Sequence, residues 1–198
     1  MKPGNDEVKR RIRREVRERR SRMDGAARTR ARDTLTAQLA NLVAQHGATS
    51  VACYAPLGTE PDTSGFLAWA AGHGVEVLLP IARPDFTLEW ARLDPESHTA
   101  AMSPGRHGIL EPHGPRLPAA AAADCELLLI PACAVDGRGG RLGWGLGYYD
   151  RLLATLDPRP PVFAVVYDAD VLPSVPRDPH DAPITGVVTP SELRRFDG

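Results

Sequence analysis

Apolar residues recur along the chain in two patterns, one typical of helices and one typical of buried strands. Within residues 6–22, Val8, Ile12 and Val16 stand four apart, which places them on one stripe of a helix. The other positions of this segment are almost entirely Arg and Glu. We therefore expect a first helix that packs against the protein through one apolar face and is exposed to solvent on its other faces.

A second and longer helix is predicted over about residues 25–46, because Asp24 can cap its first turn and Gly47 can end it. Shorter helices are predicted over about 63–71 and over 148–156. Short runs rich in Val, Leu and other apolar residues predict six strands. These are residues 50–54, 75–79, 86–90, 126–130, 162–166 and 185–188.

Proline and alanine mark several connections between these elements. Pro80 is expected to end strand 75–79, the alanines 119–123 to form a short helix or turn, and residues 173–183 to form a loop. Strands that alternate with helices indicate a mostly parallel sheet covered on both faces. The predicted fold class is α/β, a three-layer α/β/α sandwich with a mostly parallel, Rossmann-like central sheet.

Length and composition narrow the class of protein. The 198 residues suit one domain, and no repeat or boundary is visible, so we expect a single domain over 1–198 with helix 6–22 packed on an α/β core. A hydrophobic content of 42% with 25% charged residues is globular. No apolar run approaches the ~20 residues of a membrane span. The N-terminus is too charged for a secretory signal peptide. A cytoplasmic monomer without a membrane partner is expected.

Three cysteines, Cys53, Cys125 and Cys133, are an odd number without a C-x-x-C pair. Buried free thiols are therefore favoured over disulfides or a zinc site. A reducing compartment fits this usage.

Basic residues are concentrated at the N-terminus, where residues 1–32 hold 13 of the 24 Lys and Arg residues. Such an arm raises the question of nucleic-acid binding. The simpler interpretation is the wet face of an amphipathic helix, and the presence of only two lysines in the chain indicates a general use of Arg. We favour this interpretation and expect no nucleic-acid partner.

The most informative segment is residues 139–151, Gly-Gly-Arg-Leu-Gly-Trp-Gly-Leu-Gly-Tyr-Tyr-Asp-Arg. It lies between strand 126–130 and helix 148–156, so free N–H groups and the helix dipole make it a candidate anion site. Arg141 and Arg151 add positive charge, and Asp150 is a carboxylate suited to Mg²⁺. Neither of the two common phosphate signatures is present. An irregular loop that merely uses glycine is the alternative.

The pattern Gly-x-Arg-Leu-Gly-x-Gly-x-Gly-Tyr-Tyr-Asp in this segment resembles the signature of the 5-formyltetrahydrofolate cyclo-ligase (methenyltetrahydrofolate synthetase) family. Four shorter pieces resemble other motifs of that family and occur in its order. They are Lys9-x-x-Ile12-Arg13, Glu60-x-Asp62-Thr63, Gly108-Ile-Leu-Glu-Pro112, and Leu172-Pro173 followed by His180-Asp181. The resemblance spans roughly residues 9 to 189.

The resemblance implies an enzyme that cyclises 5-formyltetrahydrofolate to 5,10-methenyltetrahydrofolate, with ATP as co-substrate and Mg²⁺ as cofactor. The N5-formyl oxygen would attack the γ-phosphate, N10 would add to the activated carbon, and phosphate would depart. The protein would mostly position the reactants and neutralise phosphate charge.

Site residues follow from the same resemblance. Arg141 and Tyr148 are the expected catalytic residues, and Asp150 and Asp181 the expected Mg²⁺ ligands. The expected ATP-binding residues are Lys9, Arg10, Arg11, Ile12, Arg13, Gly140, Arg141, Leu142, Gly143, Trp144, Gly145, Leu146, Gly147, Tyr148 and Tyr149. The expected folate-binding residues are Glu60, Gly145, Leu146, Gly147, Tyr148 and Tyr149.

Simpler roles remain open for several of these side chains. Lys9 and Arg13 share a helix face and are alternatively solvated charges. Glu60, expected to bind the donor face of the pterin, is alternatively a surface carboxylate. Asp150 is alternatively a first-turn residue favoured by the helix dipole. Tyr148 and Tyr149 are alternatively packing residues.

The position of each residue relative to the strands gives a further expectation. Glu60, the glycine-rich segment and Asp168 each follow a predicted strand and are candidates to meet in one crevice. Two positions depart from the family pattern. Leu146 stands where many relatives carry Lys or Gly, with Arg10 or Arg11 as a substitute, and Ile109 lies where some relatives have an aromatic residue.

Two other classes of function are open at this level. One is a phosphate- or CoA-binding enzyme on a similar sheet, such as a relative of sugar-phosphate isomerases or CoA-transferases. The other is a nucleic-acid-binding module that uses the basic helix.

Overall fold

The computed structural model describes residues 4–96, 102–178 and 182–196. The helices are α1 (Asn5–Ser21), α2 (Gly25–His46), α3 (Ser64–Gly72) and α4 (Tyr148–Thr155). The strands are β1 (Ser50–Ala52), β2 (Glu76–Ala82), β3 (Leu88–Arg92), β4 (Met102–Pro104), β5 (Leu110–Pro112), β6 (Leu127–Pro131), β7 (Ala134–Asp136), β8 (Arg141–Leu142), β9 (Val162–Val165), β10 (Val171–Leu172), β11 (Gly186–Val188) and β12 (Leu193–Arg195).

A seven-stranded sheet in the order β12-β11-β9-β6-β1-β2-β3 forms the centre of the molecule. Its five inner strands are parallel, and the two edge strands, β3 and β12, are antiparallel to their neighbours. The inner strands are buried on both faces, as their continuous apolar runs require. This confirms the predicted α/β class with a mostly parallel central sheet.

Helices cover both faces of this sheet. On one face α2 and α3 contribute side chains such as Leu39 and Phe66 to a core that includes Leu127 and Val165. On the other face Leu152 and Leu153 of α4 pack with strand residues of β6 and β9, together with the short helical turn over Ala119–Asp124. The three-layer arrangement is therefore confirmed, as is the turn over the alanines.

Helix α1 packs on a second, smaller sheet, in which β7 lies between β8 and β10. Its apolar stripe, Ile12 and Val16, forms a cluster with Cys133, Ala134 and Leu142. The C-terminal half of the helix is fixed by Arg20, which is 1% exposed and whose Nε donates to Asp170 Oδ2 at 2.8 Å. This attachment holds the basic face of α1 beside the end of the central sheet.

Two local predictions are wrong, each for a backbone reason. Strand β2 continues through Pro80 to Ala82. Pro80 pairs with Trp90, whose own N–H and C=O both bond to Leu117, so the ladder needs no N–H from the proline. Gly139 and Gly140 form the turn of the β7–β8 hairpin rather than part of the loop before α4.

Other local predictions hold. Asp24 caps α2 by accepting a hydrogen bond from the N–H of Ala27, and Gly47 ends the helix with φ at +59°. Cys53, Cys125 and Cys133 are buried free thiols, and burial raises their pKa values to about 12, 12 and 11, respectively. Within the described segments, none of the helices is long and apolar enough to cross a bilayer.

Candidate functional site

Two adjacent cavities lie at the carboxyl ends of the central strands, on either side of a glycine loop formed by residues 143–147. The large cavity has a volume of about 530 Å³, and the small cavity a volume of about 270 Å³. Arg141, Gly143, Gly147 and Asp150 line both. Two ligands that occupy the cavities would therefore meet at these four residues.

The conformation of the glycine loop requires glycine at two positions. Gly145 has φ at +105° and faces Arg13, whose Cζ would lie 3.3 Å from a Cβ at that position. Gly147 has φ at +73° and immediately precedes α4. Side chains at either residue would strain the backbone and crowd an arginine.

The loop presents unpaired amide groups. Among the described residues, no N–H from Gly143 to Asp150 donates a hydrogen bond, while the carbonyl of Gly143 accepts one from Arg13 Nε at 2.8 Å. The last three of these amides belong to the first turn of α4, where the helix dipole also favours negative charge. The loop is thus equipped to bind an anion through its main chain.

The small cavity is lined by cationic side chains of α1 in addition to the loop. Lys9 is 8% exposed, and its Nζ forms an ion pair of 2.6 Å with Asp178. Arg13 lies one turn further along the helix and also lines the cavity. Asp6, Asp150 and Asp178 contribute carboxylates.

Arg141 extends from β8 into the wall that the two cavities share. Its guanidinium pairs with the carboxylate of Asp150, and its Nε is buried without a hydrogen-bond partner in the described structure. A buried guanidinium with an unused N–H is poised to take a further oxygen acceptor. Arg141 is therefore the best-placed fixed cation for an anionic ligand.

Glu60 contributes a carboxylate to the large cavity and, unlike Asp150, does not line the small cavity. Burial raises its pKa to about 7, an effect that is partly opposed by a hydrogen bond from the N–H of Leu57 and by the nearby Arg20 and Trp144. A carboxylate in this setting is a strong acceptor for paired N–H donors of a ligand, because burial leaves few waters to compete.

Aromatic side chains form much of the remaining wall of the large cavity. Trp144 lies beneath two guanidiniums, with the Cζ atoms of Arg17 and Arg20 at 5.3 and 5.1 Å from its ring centroid. Tyr148 packs at 5.8 Å from Phe86 and donates its hydroxyl to the carbonyl of Arg83. Flat rings on several sides suit a flat, mostly apolar ligand.

Tyr149 also lines the large cavity, close to the carboxylate of Glu60. Burial and the nearby charge of Glu60 raise the pKa of Tyr149 well above its ordinary value, so its hydroxyl stays protonated. It can therefore act as a hydrogen-bond donor but not as a base.

The structure brings most of the sequence-predicted residues to these cavities. Lys9, Arg13, Leu142 and Gly145 line the small cavity, and Glu60, Trp144, Leu146, Tyr148 and Tyr149 line the large one, with the shared residues between them.

Four predicted residues lie elsewhere. Arg10 and Arg11 are exposed on α1 outside both cavities, and Arg11 faces Glu15 instead. Ile12 points into the apolar cluster beneath α1, and Gly140 is buried beside Asp136. The expectation that Arg10 or Arg11 compensates for a leucine at position 146 therefore finds no support in where these two side chains lie.

Asp168 does not join the crevice either. Its carboxylate accepts hydrogen bonds from Thr189 and Ser191 and so closes the turn between β11 and β12. The last predicted site residue, Asp181, lies outside the described residues.

Several residues that line the cavities are missed from the sequence. In the large cavity these are Arg17, Ser21, Leu57, Gly58, Thr59, His107 and Pro131, and in the small cavity Asp6 and Asp178. Arg17 follows Arg13 by one turn on the same helix, and Pro131 ends strand β6, so both carried a signal. Leu57, Gly58, Thr59 and His107 lie in connections whose paths depend on tertiary contacts.

Carboxylates near the shared wall are the candidates for a metal ion. No cluster of three or more His, Cys, Asp or Glu residues occurs in the portion of the chain that the structure covers. Among the carboxylates of the described segments, Asp150 is the one that lines both cavities. One carboxylate can hold a Mg²⁺ ion that takes its other ligands from phosphate and water.

The fold and the paired cavities define an α/β protein in which a glycine loop with unpaired amides separates two cavities. Residues 5–190 match the model of the 5-formyltetrahydrofolate cyclo-ligase family. A 5-formyltetrahydrofolate cyclo-ligase of Mycolicibacterium smegmatis is 39% identical over 146 residues, which cover 71% of this chain and 73% of that protein. The corresponding enzyme of Haemophilus influenzae is 25% identical over 93% of this chain and 98% of its own.

Solved structures agree with these sequence matches. The structure of a 5,10-methenyltetrahydrofolate synthetase from Aquifex aeolicus superposes with a TM-score of 0.80 at 29% identity, covering 96% of this chain and 94% of that one. A synthetase from Mycoplasma pneumoniae has a TM-score of 0.69 at 18% identity, covering 92% and 98%, and supports the fold. The chain belongs to the 5-formyltetrahydrofolate cyclo-ligase family and is an enzyme of that family.

Proposed function

We propose that this enzyme converts 5-formyltetrahydrofolate and ATP to 5,10-methenyltetrahydrofolate, ADP and phosphate. One observation carries the proposal: an amide- and cation-lined small cavity shares a wall with a larger, aromatic cavity that contains a carboxylate. A triphosphate in the first would end beside a folate in the second. Family membership supports the same pair of ligands.

The chemistry requires this proximity. A formamide carbonyl is a poor electrophile, and its oxygen is a poor leaving group. When the N5-formyl oxygen attacks the γ-phosphorus, ADP leaves and the carbon becomes an iminium phosphate. N10 then adds to that carbon and loses its proton, and the C–O bond breaks to release phosphate. The protein contributes mainly position and charge.

Each cavity residue has a role in this scheme. The amides of residues 144–149 would bind phosphate oxygens, with Lys9, Arg13 and Arg141 neutralising their charge. Glu60 would accept hydrogen bonds from the N–H donors of the pterin edge, while the aromatic walls exclude water. Tyr148, whose ring lies beside the loop, would hold the formyl group against the phosphate.

Magnesium would bind at Asp150, with phosphate oxygens and water as its other ligands, and Asp181 is the second predicted carboxylate. The ion would neutralise charge on the phosphates, and a single protein carboxylate fits its usual mode of binding with nucleotides. Arg141 already pairs with Asp150, so the ion and the guanidinium would share that carboxylate.

Product formation tests the proposal directly. Methenyl-folate has a near-ultraviolet absorbance that the 5-formyl substrate lacks, so the enzyme should raise this absorbance only when both ATP and Mg²⁺ are present. Substrate labelled with ¹⁸O in the formyl group should transfer the label to inorganic phosphate. Methenyl-folate formed without ATP, or unlabelled phosphate, would refute the proposed chemistry.

Asp150→Asn should increase the Mg²⁺ concentration needed for half-maximal activity by about tenfold or more, because a neutral amide is a weaker ligand for a hard cation. The measurement is a Mg²⁺ titration at fixed ATP. Asp124→Asn, a change at an exposed residue away from both cavities, should leave the titration unchanged. An unaltered Mg²⁺ requirement in Asp150→Asn would remove this residue from the metal site.

Glu60 should give folate binding a pH dependence. Because its pKa is about 7, the carboxylate forms as pH rises through neutrality, and the KM for folate should fall over that interval. In Glu60→Gln the KM should be higher and flat with pH, whereas Glu15→Gln, on the exposed face of α1, should keep the wild-type profile.

Stability provides an independent check of the same group. Since the folded pKa of Glu60 lies above its unfolded value, the folded state binds the proton more tightly. The free energy of unfolding should therefore decrease as pH rises from about 4.5 to about 7, because the unfolded chain loses the Glu60 proton earlier than the folded protein does. Glu60→Gln should remove this part of the pH dependence. If the variant retains both the wild-type KM profile and the wild-type stability profile, Glu60 is an ordinary surface carboxylate.

A further inference from the structure

Arg151 ties the glycine loop to the rest of the molecule from outside both cavities. Its Nη2 donates to the carbonyl of Leu146 at 2.5 Å, and its Nε donates to the carbonyl of Phe86 at 2.9 Å. Its guanidinium also lies 5.5 Å from the ring centroid of Phe86. One side chain of α4 therefore connects the loop to the turn between β2 and β3.

This contact fixes the direction of one peptide group. In a trans peptide the C=O and the following N–H point in opposite directions. Because the carbonyl of Leu146 points towards Arg151, the N–H of Gly147 points away from it. Gly147 lines both cavities, whereas Arg151 lines neither. The unpaired N–H of Gly147 is thereby directed to the side where the anion would bind.

Arg13 makes a similar contact at the start of the loop, where its Nε donates a hydrogen bond to the carbonyl oxygen of Gly143. Carbonyl oxygens carry partial negative charge and would repel a phosphate if they faced it. Arg13 of α1 thus binds the carbonyl of Gly143, and Arg151 of α4 binds the carbonyl of Leu146. Arg13 lines the small cavity and can also touch a ligand, but Arg151 acts only through the backbone.

We propose that Arg151 is a positioning residue for the nucleotide, which orients the Leu146–Gly147 peptide so that its N–H serves the bound phosphates. The inference rests on the proposed ATP site. Arg151 is exposed, and so are Leu146 and Phe86, whose carbonyl oxygens accept its hydrogen bonds. Its removal should therefore leave the fold intact and alter the loop.

The test compares Arg151→Ala, Arg151→Lys and Arg159→Ala, the last being an exposed arginine beyond the end of α4. Calorimetric titration measures the affinity for a non-hydrolysable ATP analogue and for 5-formyltetrahydrofolate. Arg151→Ala should lose about tenfold in affinity for the ATP analogue and change folate affinity less than twofold. Arg151→Lys should recover part of the loss, non-denaturing guanidinium should restore Arg151→Ala, and Arg159→Ala should match the wild type.

Wild-type affinity for the ATP analogue in Arg151→Ala would overturn the inference. So would an equal loss for both ligands together with a lower melting temperature, because that result indicates a structural role. Failure of the proposed function is a separate outcome, since the wild-type protein itself would then bind no ATP analogue.

Discussion

Arg141→Ala should lower kcat/KM for ATP by about 10²–10³-fold, because Arg141 is the fixed cation among the described residues that line both cavities. The buried Nε without a partner and the pairing with Asp150 both indicate a guanidinium that is held for an additional acceptor. Part of the loss should appear in kcat, since charge builds up on the transferred phosphoryl group between the two ligands. Steady-state kinetics with ATP as the varied substrate measures both.

Arg138→Ala is the matched control. Arg138 lies in the turn of the same hairpin, three residues earlier, but its side chain is exposed and lines neither cavity. It should behave as the wild type. Wild-type kinetics in Arg141→Ala would show that the shared wall takes no part in phosphate binding and would undermine the assignment of the small cavity.

Asp170→Ala should destabilise the protein by about 3–5 kcal/mol, which is the usual result of removing one partner of a buried ion pair. Asp170 is 0% exposed, and both Arg19 and Arg20 bond to it. The guanidinium of Arg20 would keep only the carbonyls of Ala132 and Cys133 as acceptors. Urea unfolding followed by circular dichroism gives the free energy of unfolding.

The double variant Arg20→Met/Asp170→Leu tests the cause of this loss. If the uncompensated charge of Arg20 is responsible, the double variant should be more stable than Asp170→Ala, because neither charge of the fully buried pair remains. Asp33→Ala, which breaks the exposed pair with Arg32, should show no measurable change in unfolding. A near-neutral Asp170→Ala would mean that α1 is held by its apolar stripe alone.

This ion pair also links stability to the site. Arg20 anchors the helix that carries Lys9, Arg13 and Arg17, and these three side chains line the cavities. Loosening the C-terminal part of α1 should therefore weaken ligand binding even where the protein remains folded. These contacts account for part of the basic character of α1.

Much of the fold could be predicted because burial leaves a strong trace in the sequence. The inner strands appear as continuous apolar runs, and α2 has both an N-terminal cap and a C-terminal glycine. Strands β4, β5, β7, β8, β10 and β12 have two or three residues each, too few to show a period. The prediction that Pro80 ends strand β2 is wrong because a proline interrupts a strand only where the ladder needs its N–H, and the sequence does not show which positions these are.

The site was predictable to the extent that its residues lie in one contiguous motif. Arg141 and the residues from Gly143 to Asp150 all reach the cavities, and Lys9, Arg13 and Glu60 were indicated by family resemblance. The sequence predicts Gly139 and Gly140 as part of the loop, because glycines of a hairpin turn look the same in sequence as glycines of an anion-binding loop. Only the pairing of β7 with β8 distinguishes them.

The sequence does not predict which side chains reach the site through tertiary packing. Arg10, Arg11 and Arg13 are the same residue type within one helical turn, yet only Arg13 faces the loop. Their roles depend on how α1 is rotated by Ile12 and Val16 against the small sheet. His107 and Leu57 reach the large cavity from loops whose paths the local sequence does not determine.

The central claim is that main-chain amides of the glycine loop bind the phosphates of ATP beside the folate cavity. It is tested most directly by recording amide resonances of ¹⁵N-labelled protein during titration with a non-hydrolysable ATP analogue and Mg²⁺. The N–H signals of residues 144–149 should shift downfield as new hydrogen bonds form, while those of α2 and α3 stay in place. If the nucleotide binds and the amide resonances of the loop do not shift, the phosphates lie elsewhere and the claim is wrong.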